Sequence, residues 1–414
     1  MKIVHISTAD NSGGAARAAY RLHRGLRSAG HESRMMVGWR FEASPEIHAV
    51  MGDQGRTKIT RRAILALDRY LSLQYSFLPW SRDFLDHPFI QTADVIHLHN
   101  LHGGYFPYRL LPKLSRIAPL VWSLHDMWAF TGHCAYSYDC ERWKIGCGRC
   151  PILGEYPPIY MDTTRLHWRI KDRTYRNATM TVVTGSTWMA GMAKQSPLLN
   201  RFAIHTIPYG TDLEVFRPAN KAQARKILRL PESANVILAF ASSEDRKGWT
   251  YLLQALDRLG VEPRPWLLIA GDRRGRIPAG FSGRRVGYVD CDDLLNLCYV
   301  AADIFVLPTL AENLPLSVLD ALAAGTPSVV FDVGGVPDLI RHLETGYLVS
   351  ERNAEGLAQA MEFLLMNREV RLRIGENARR AAEQEYSMET YARRYLSLYE
   401  GVIRANQLSL DTRA

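Results

Sequence analysis

Two acidic residues stand beside an apolar, alanine-rich run in the C-terminal half of the chain. Glu312 precedes the run and Asp320 follows eight positions later. A carboxylate is costly to bury unless another group pairs with it, so the two acids predict a polar ligand held at the start of a helix. Lys247 lies just before a second predicted helix, where an ammonium group could neutralise a diphosphate leaving group.

Histidines follow two of the predicted strands. His125 closes the strand at 120–126, which makes it a candidate catalytic or ligand-contacting group; a histidine with a purely structural role is the alternative. Another strand ends in His99, Asn100 and His102, which could line the same site. A metal site at these histidines would lack convincing further ligands.

A glycine pair, Gly13 and Gly14, lies between the first predicted strand and the first helix. Glycine allows backbone N–H groups to approach a phosphate at a helix N-terminus, where the helix dipole favours an anion. A simple tight turn is the alternative. The full G-x-G-x-x-G pattern is absent and the second strand ends without an acid, which argues against a dinucleotide site of the NAD type.

Four cysteines fall within one loop-like segment, and the last two form a C-x-x-C pair: Cys134, Cys140, Cys147 and Cys150. Four thiolates can close a tetrahedral zinc site, although the first two spacings are not those of a standard zinc ribbon. Ordinary reduced thiols in the core are the alternative, and disulfides do not suit a reducing compartment. Cys291 and Cys298 are predicted to be buried thiols without a further role.

The sequence DCDD at 290–293 resembles a metal-binding D-x-D pattern. Because a helical run follows at once, we favour a capping role, with Asp290 as N-cap and Asp293 in the first turn.

Short apolar runs alternate with helical patterns along most of the 414 residues, which predicts an α/β fold with parallel sheets. The pattern stops at a turn-rich segment, 203–218, and then restarts, so two α/β domains are expected. We place the N-terminal domain at 1–208, with a cysteine-rich insertion at 131–158. The C-terminal domain is placed at 209–388, and a last helix and tail at 389–414 are expected to pack on the N-terminal domain. Ligands of open parallel sheets bind off the carboxyl ends of the strands, so a cleft between the two domains is the expected site.

The composition, with 47% hydrophobic and 22% charged residues, is that of a globular protein, and the net charge of +9 favours an anionic partner. No aromatic and basic interleaving supports nucleic-acid binding. The segment 56–75 begins with basic residues and continues with apolar ones at helical spacing. It could lie on a membrane surface, or pack on its own domain. No apolar run is long enough to span a bilayer and no signal-peptide pattern is present, so a cytoplasmic location is expected.

The segment 311–340 resembles the donor-binding signature of the family 4 retaining glycosyltransferases, which have the GT-B fold. The similarity continues, in the family's order, over nearly the whole chain, at 12–32, 94–105, 123–128, 207–218 and 246–256. The cysteine-rich insertion resembles a branch associated with bacterial surface-polysaccharide assembly. The implied fold is two Rossmann-like domains that face each other across a cleft, with the C-terminal helix crossing back to the N-terminal domain.

The resemblance implies roles for individual residues. Glu312 would contact hydroxyls of the donor sugar, Lys247 would hold the diphosphate, and His125 would lie near the reaction centre; these three are the implied catalytic residues. His99, Asn100 and His102 would lie on the acceptor side. The donor-binding residues implied are Gly13, Gly14, Ser243, Arg246, Lys247, Tyr288, Glu312, Asn313, Leu314, Leu316 and Asp320.

Two departures from the family pattern stand out. The second acid is usually Glu, whereas this chain has the shorter Asp320, which would have to reach the nucleotide ribose. Many members carry an Arg where this chain has Ser242. Arg246 or Ser243 could compensate for the missing cation.

The resemblance thus implies a hexosyltransferase of the EC 2.4 type that moves a sugar from a nucleotide diphosphate sugar to a glycan or lipid-linked acceptor, with retention of configuration. The acids would bind neutral polyols by charge-assisted hydrogen bonds, and the cations would neutralise the diphosphate. The chemistry would need no metal or other cofactor, and any zinc would be structural. The expected location is the cytoplasm, with peripheral contact at the inner face of the cell membrane. A nucleotide-sugar epimerase, or a catalytically weak sugar-nucleotide-binding protein on the same fold, is the alternative.

Overall fold

The computed structural model describes residues 1–51, 56–80, 82–272, 275–350 and 352–411. The chain forms two compact units. Unit 1 comprises Met1–Pro208 together with the chain from Tyr391 onward, and unit 2 comprises Tyr209–Thr390. The C-terminal helix therefore starts in unit 2 and continues in unit 1.

Unit 1 is built on a parallel sheet of seven described strands in the order β3-β2-β1-β4-β5-β6-β7. The central strands β1, β4 and β5 are buried almost throughout, as expected for a parallel sheet covered on both faces. The strands are β1 Lys2–Ala9, β2 Glu32–Trp39, β3 Ile47–Ala49, β4 Val95–Leu98, β5 Leu120–Leu124, β6 Met180–Thr184 and β7 Ile204–Thr206.

Helices connect the strands of unit 1. The first of them, α1, buries an apolar stripe that includes Ala16, Leu22 and Leu26. The helices before the crossing to unit 2 are α1 Gly14–Ser28, α2 Arg56–Tyr70, α3 Arg82–Leu85, α4 Pro88–Gln91, α5 Leu111–Leu114, α6 Thr164–Arg176 and α7 Thr187–Gln195.

Unit 2 repeats the architecture with a parallel sheet of six described strands in the order β10-β9-β8-β11-β12-β13. Its strands are β8 Val236–Ala241, β9 Trp266–Gly271, β10 Gly283–Gly287, β11 Ile304–Leu307, β12 Ser328–Phe331 and β13 Gly346–Val349. Its helices are α8 Lys221–Ile227, α9 Trp249–Arg258, α10 Asp292–Ala301, α11 Leu316–Ala323, α12 Ala354–Met366 and α13 Arg368–Glu385, and α14 Met388–Asp411 follows them.

The expected α/β alternation is confirmed, but three short strands escaped the sequence analysis. β3 and β13 have only three and four residues, and β7 lies inside the segment assigned to a linker. Runs this short carry too little periodicity to be recognised.

The capping prediction in the 290–293 segment was partly wrong. Helix α10 begins at Asp292 with Cys291 at the N-cap position, so Asp290 lies outside the helix, whereas Asp293 is in the first turn as predicted. Cys291 is exposed and Cys298 is buried, so the expectation of burial holds only for Cys298.

Helix α2 packs on its own unit through Ile64 and Leu65, which lie against the hydrophobic core. Its other face exposes Leu67 and Tyr70, with 54% and 71% of their surfaces accessible. Among the described residues, no helix combines the length and the apolar character that crossing a membrane requires. Peripheral membrane contact through α2 stays a prediction, and co-sedimentation with anionic vesicles would test it.

Candidate active site

One cluster of charged groups in unit 2 lies where its strand order reverses. The chain runs outward from β8 to β9 and β10, returns, and then runs the other way from β11 to β12 and β13. β8 and β11 are therefore neighbours with diverging connections, which is the topological position where open α/β sheets bind ligands. Lys247 follows β8 and Glu312 follows β11, so the fold brings the two residues together at the carboxyl ends of adjacent strands.

Glu312 forms ion pairs with two cations. One of its carboxylate oxygens, Oε2, accepts hydrogen bonds from Lys247 Nζ at 2.6 Å and from Arg246 Nη1 at 2.9 Å. Arg246 also donates to the backbone carbonyl of Ala311 at 2.8 Å and pairs with Glu244, whose side chain is largely exposed. The arrangement concentrates two positive charges beside a single buried carboxylate.

The electrostatic balance of this cluster keeps Glu312 ionised. Burial by itself would raise the pKa of its carboxyl group, but the neighbouring Lys247 and Arg246 lower the pKa to about 2. At neutral pH the group is therefore a carboxylate that can accept hydrogen bonds but cannot donate a proton. The side chains of Arg246 and Lys247 are only 15% and 27% exposed, which limits screening by solvent.

Two glycines fix the backbone under these side chains. Gly248 ends the 3-10 turn Asp245–Lys247 with φ of 70°, and a Cβ atom there would lie 1.8 Å from the carbonyl oxygen of Pro308. Gly334, which follows β12, has φ of 55°, and a Cβ atom there would lie 2.0 Å from the carbonyl oxygen of Glu312. Both sites need a residue without a side chain, so the glycines hold the two loops in close contact.

The substitution Gly334→Ala should therefore disturb the site. We expect the free energy of unfolding to fall by about 1–2 kcal/mol or more, since an L-residue is strained at this φ and its methyl group must displace the Glu312 backbone. Chemical denaturation measures the loss. Gly401→Ala is the matched control, because Gly401 lies in helix α14 with open space around its Cβ position. There alanine should leave stability unchanged or raise it by up to about 1 kcal/mol; equal stability losses in the two variants would contradict the assignment.

The remaining predicted donor residues of unit 2 differ in their positions. Asp320 is almost fully buried on α11, and its Oδ1 accepts a hydrogen bond from Thr211 Oγ1 at 2.7 Å. Asn313 is buried too, and its amide lies 3.4 Å from the hydroxyl of Tyr209. Tyr288 is 69% exposed after β10. The others lie at loop or helix starts: Ser243 just after β8, buried Leu314 in the Glu312 loop, and Leu316 as the first residue of α11.

Helix α11 begins at Leu316 with Pro315 as its N-cap residue, and no side chain caps it. The first N–H groups of a helix have no partner within the helix. The α11 terminus therefore presents amides close to the Glu312 loop.

Unit 1 has its own reversal of strand order, between β1 and β4. Gly13 follows β1 as the N-cap residue of α1 with φ of 88°, and Gly14 is the first helical residue. After β4, the backbone carbonyls of Asn100 and His102 both accept hydrogen bonds from the Thr8 hydroxyl at 3.1 Å. The glycine turn and the histidine-rich turn thus follow adjacent parallel strands.

His125 is the outer member of a buried chain of imidazoles. Its Nε2 lies 3.0 Å from His99 Nδ1, and His99 Nε2 lies 3.0 Å from His5 Nδ1. Burial lowers the pKa of His125 to about 4, against an opposing effect of Asp126, and it holds the pKa values of His5 and His99 well below their ordinary value. All three histidines are therefore neutral at physiological pH.

This chain of histidines corrects the expectation for His99. Only 1% of its surface is exposed and both ring nitrogens have hydrogen-bond partners, so it lies behind His125 and does not face an acceptor. His102 is also buried; its Nε2 lies 2.8 Å from the carboxylate of Asp126. Asn100 is only partly buried, and its contact with an acceptor stays a prediction.

The sequence analysis missed His5 and two tyrosines of helix α14. The hydroxyl of Tyr399 is hydrogen-bonded to Nδ1 of His97 at 2.7 Å. The hydroxyl of Tyr395 is hydrogen-bonded to the hydroxyl of Ser123 at 2.6 Å, and the Ser123 hydroxyl is hydrogen-bonded to Nε2 of His97. The sequence held one signal for this polar network: polar residues recur within the apolar strands β1, β4 and β5. His97 and His99 are also two positions apart in one strand, so their side chains share one face of the sheet.

The four predicted zinc ligands line one cavity together with His133. We looked among the described residues for three ligand atoms of histidine, cysteine or acidic side chains that lie within 4.8 Å of one another. Only His5, His97 and His99 meet this condition. The cysteine sulfurs are thus farther apart than in a closed zinc site. The histidine trio is a poor alternative, because both ring nitrogens of His97 and of His99 already have partners.

Two family models match the chain. The model for Glycosyltransferase Family 4 matches residues 12–215, and the model for Glycosyl transferases group 1 matches residues 220–381. The second range includes Arg246, Lys247 and Glu312, and the first includes His99 and His125 but not His5.

Individual proteins give a consistent comparison. The Escherichia coli K12 protein WcaC, named as a glycosyl transferase of colanic acid biosynthesis, is 31% identical over 174 residues, which is 39% of this chain and 42% of WcaC. The chain thus spans about half the length, or less, of the curated relatives it matches.

Solved structures resemble the chain over almost its whole length. Sucrose-phosphate synthase from Thermosynechococcus elongatus has a TM-score of 0.68 at 20% identity, covering 98% of this chain and 100% of that one. Alr3699/HepE of Anabaena, solved in complex with UDP-glucose, has a TM-score of 0.66 at 14% identity, covering 96% and 99%. At these identities the likeness concerns the fold, and it confirms the expected GT-B class of two Rossmann-like domains.

Proposed function

Since the chain belongs to the family 4 glycosyltransferases, we propose that it transfers a sugar from a nucleotide diphosphate sugar and that unit 2 binds this donor at the Lys247–Arg246–Glu312 cluster. The observation that carries the proposal is the position of two cations and one ionised carboxylate at the strand reversal of unit 2. A diphosphate needs positive charge, and sugar hydroxyls need a strong acceptor. The cluster offers both within one contact network.

Donor binding would exchange partners within this network. The diphosphate would take Lys247 and Arg246 from Glu312, and Glu312 would then accept hydrogen bonds from hydroxyls of the sugar. The cations would also stabilise the negative charge that develops on the leaving diphosphate. Arg246 thereby supplies the second cation that Ser242 cannot, and no divalent metal is needed to neutralise the leaving group.

The nucleoside part of the donor would extend toward Asp320 and Tyr288. Asp320 would have to share or exchange its hydrogen bond with Thr211 in order to reach a ribose hydroxyl. Tyr288 is exposed and available to border the base. The amides at the start of α11 would add donors to the phosphates.

Transfer with retention of configuration completes the proposal. A front-face displacement requires no protein nucleophile, because the leaving phosphate takes the proton of the acceptor hydroxyl. His125, neutral at physiological pH, would contribute a hydrogen bond near the reacting sugar and no positive charge. We propose the Gly13–Gly14 turn as the phosphate-binding loop of unit 1.

We further propose a glycan or lipid-linked acceptor in cell-surface polysaccharide biosynthesis, with the protein acting at the inner face of the cell membrane. The similarity to WcaC supports this assignment, as do the apolar side chains that α2 exposes. Both matching family models are described as glycosyltransferases, which favours sugar transfer over epimerisation of a nucleotide sugar.

A donor screen with product analysis tests the function. UDP-, GDP-, ADP- and dTDP-sugars are added to the protein and the thermal shift is measured, because a donor that binds the folded state raises its apparent stability. Donors that bind are then incubated with and without a lipid-linked glycan extract, and the anomeric configuration of the product is determined by NMR. We expect an acceptor-dependent product of retained configuration. An epimerised nucleotide sugar without acceptor, or an inverted product, would overturn the corresponding part of the proposal.

A further inference from the structure

The cysteine-rich insertion of unit 1 contains a small cavity that glycosyl transfer does not explain. Its four cysteines line one cavity of about 20 Å³, to which His133 also contributes. A space of this size holds one water molecule or one ion. His133 Nε2 lies 3.3 Å from the sulfur of Cys150.

The backbone of the insertion directs thiols and amides toward this cavity. Four successive residues, 146–149, have positive φ angles of 102°, 55°, 87° and 50°, which curls the chain between Cys147 and Cys150. The amide of Gly132 donates toward the Cys147 sulfur, and the amide of Ile152 toward the Cys150 sulfur. Such N–H groups stabilise negative charge on sulfur and support thiolates bound to a metal.

A buried lysine next to the cavity provides an independent indication of negative charge. Lys171 is completely buried, and its ammonium group donates to the backbone carbonyls of Trp128 and Thr131 and lies 3.7 Å from the centre of the Trp128 ring. Thr131, whose carbonyl Lys171 binds, also lines the cavity. A buried ammonium group without a compensating charge is unfavourable.

We propose that Cys134, Cys140, Cys147 and Cys150 bind one Zn²⁺ ion as thiolates, with the ammonium group of Lys171 offsetting part of the excess negative charge. Four thiol protons leave to solvent and four Zn–S bonds form, so the ion and its ligands carry a net charge of −2 before Lys171 is counted. Zn–S bonds of about 2.3 Å require the sulfurs to move together.

The expected role of this ion is structural. The segment after His125 depends on the insertion: the amide of Met127 donates to the carbonyl of Ala135 at 2.8 Å, and Lys171 holds the carbonyls of Trp128 and Thr131. Zinc would therefore fix the insertion and, through it, the loop that begins at His125.

Metal analysis of protein purified without added metal tests the site directly. We expect roughly one zinc per chain by mass spectrometry. Replacement of zinc by Co²⁺ should give a sulfur-to-cobalt charge-transfer band. Metal-free protein, or cobalt without that band, would overturn the proposal, and a disulfide found by mass mapping would identify the competing state.

Variants then assign the ligands. Cys147→Ser and Cys150→Ser should lose the metal, whereas the control Cys291→Ser, outside the insertion and exposed, should keep it. If a ligand variant does not fold, the wild type still decides: four thiols should be protected from a thiol reagent until a chelator removes the zinc, and the melting temperature should fall on removal. Unchanged thiol reactivity and melting temperature would contradict the site.

The charge-compensating role of Lys171 has its own test. Lys171→Met keeps the length and the apolar stem of the side chain but removes the charge. Zinc affinity, measured by competition with a chromogenic chelator, should fall about 10- to 100-fold, as for other groups that support metal ligands. An unchanged affinity in a folded variant would show that Lys171 does not act on the site.

Discussion

Replacing Glu312 with glutamine is expected to lower kcat about 10²- to 10³-fold while nucleoside diphosphates still bind. The amide keeps the shape of the carboxylate but loses its charge, so its hydrogen bonds to the sugar hydroxyls are weaker in the transition state. In the ligand-free protein the change also removes the ion pairs of Glu312 with Lys247 and Arg246, which should lower the free energy of unfolding by about 2 kcal/mol. Added UDP or GDP would restore a counter-charge, so the thermal shift caused by the preferred nucleotide should be larger in the variant than in the wild type.

Glu244→Gln is the matched control. Glu244 also pairs with Arg246, at 2.8 Å, but its side chain is 60% exposed, so its removal should change turnover by less than about twofold. Equal losses in both variants would show that the charge of Arg246, and not sugar recognition by Glu312, limits the rate.

The pH dependence of stability gives a second check on Glu312. Its pKa in the folded protein, about 2, is lower than the ordinary value of 4.5, so the carboxylate stabilises the fold above that ordinary value. The contribution is lost as the pH falls from there toward 2. The stability difference between wild type and Glu312→Gln should therefore be constant from about pH 5 to pH 9 and shrink in acid. A difference that disappears between pH 6 and pH 8 would contradict the ion-pair assignment.

Replacing Lys247 with methionine should produce a different pattern. We expect kcat/KM to fall about 10²- to 10³-fold and the thermal shift by nucleoside diphosphates to be largely lost, because the charge that holds the diphosphate is removed. Glu312 keeps Arg246 as a partner, so the ligand-free protein should stay folded. Calorimetric titration with UDP and GDP measures the loss of affinity.

Lys226→Met makes the same chemical change on the exposed surface of helix α8 in the same unit. Nucleotide affinity and turnover should match those of the wild type. If Lys247→Met binds diphosphate as tightly as this control, the diphosphate lies elsewhere and the proposed donor site is wrong. Taken with Glu312→Gln, the pair separates loss of binding from loss of turnover.

Two members of the charged cluster in unit 2 could be predicted from the sequence because their signals are local. Glu312 before an alanine-rich helix and Lys247 before a second helix are features of short segments, and each can be recognised without knowledge of the rest of the fold. What these segments do not reveal is that β8 and β11 are neighbours, since strand order depends on contacts between distant parts of the chain.

The histidine chain shows the limit more clearly. His99 was assigned to the acceptor side because it ends a strand, yet the pairing of β1 with β4 and of β4 with β5 places it between His5 and His125. In the sequence, His5 is 94 residues away from His99, and His125 is 26 residues away. The alternation of residues along a strand indicates on which face of the sheet a histidine lies. It does not indicate which residues of the neighbouring strands lie beside that histidine.

The alternation of strands and helices, the two-domain organisation and the candidate charged residues could thus be read from the amino-acid order, because they reflect preferences within short stretches. The pairing of Arg246 with Glu312, the burial of His99 and the contact of Lys171 with the cavity-lining Thr131 arise only when distant segments pack. Packing selects partners by shape and charge across the whole domain, and no local pattern carries that information.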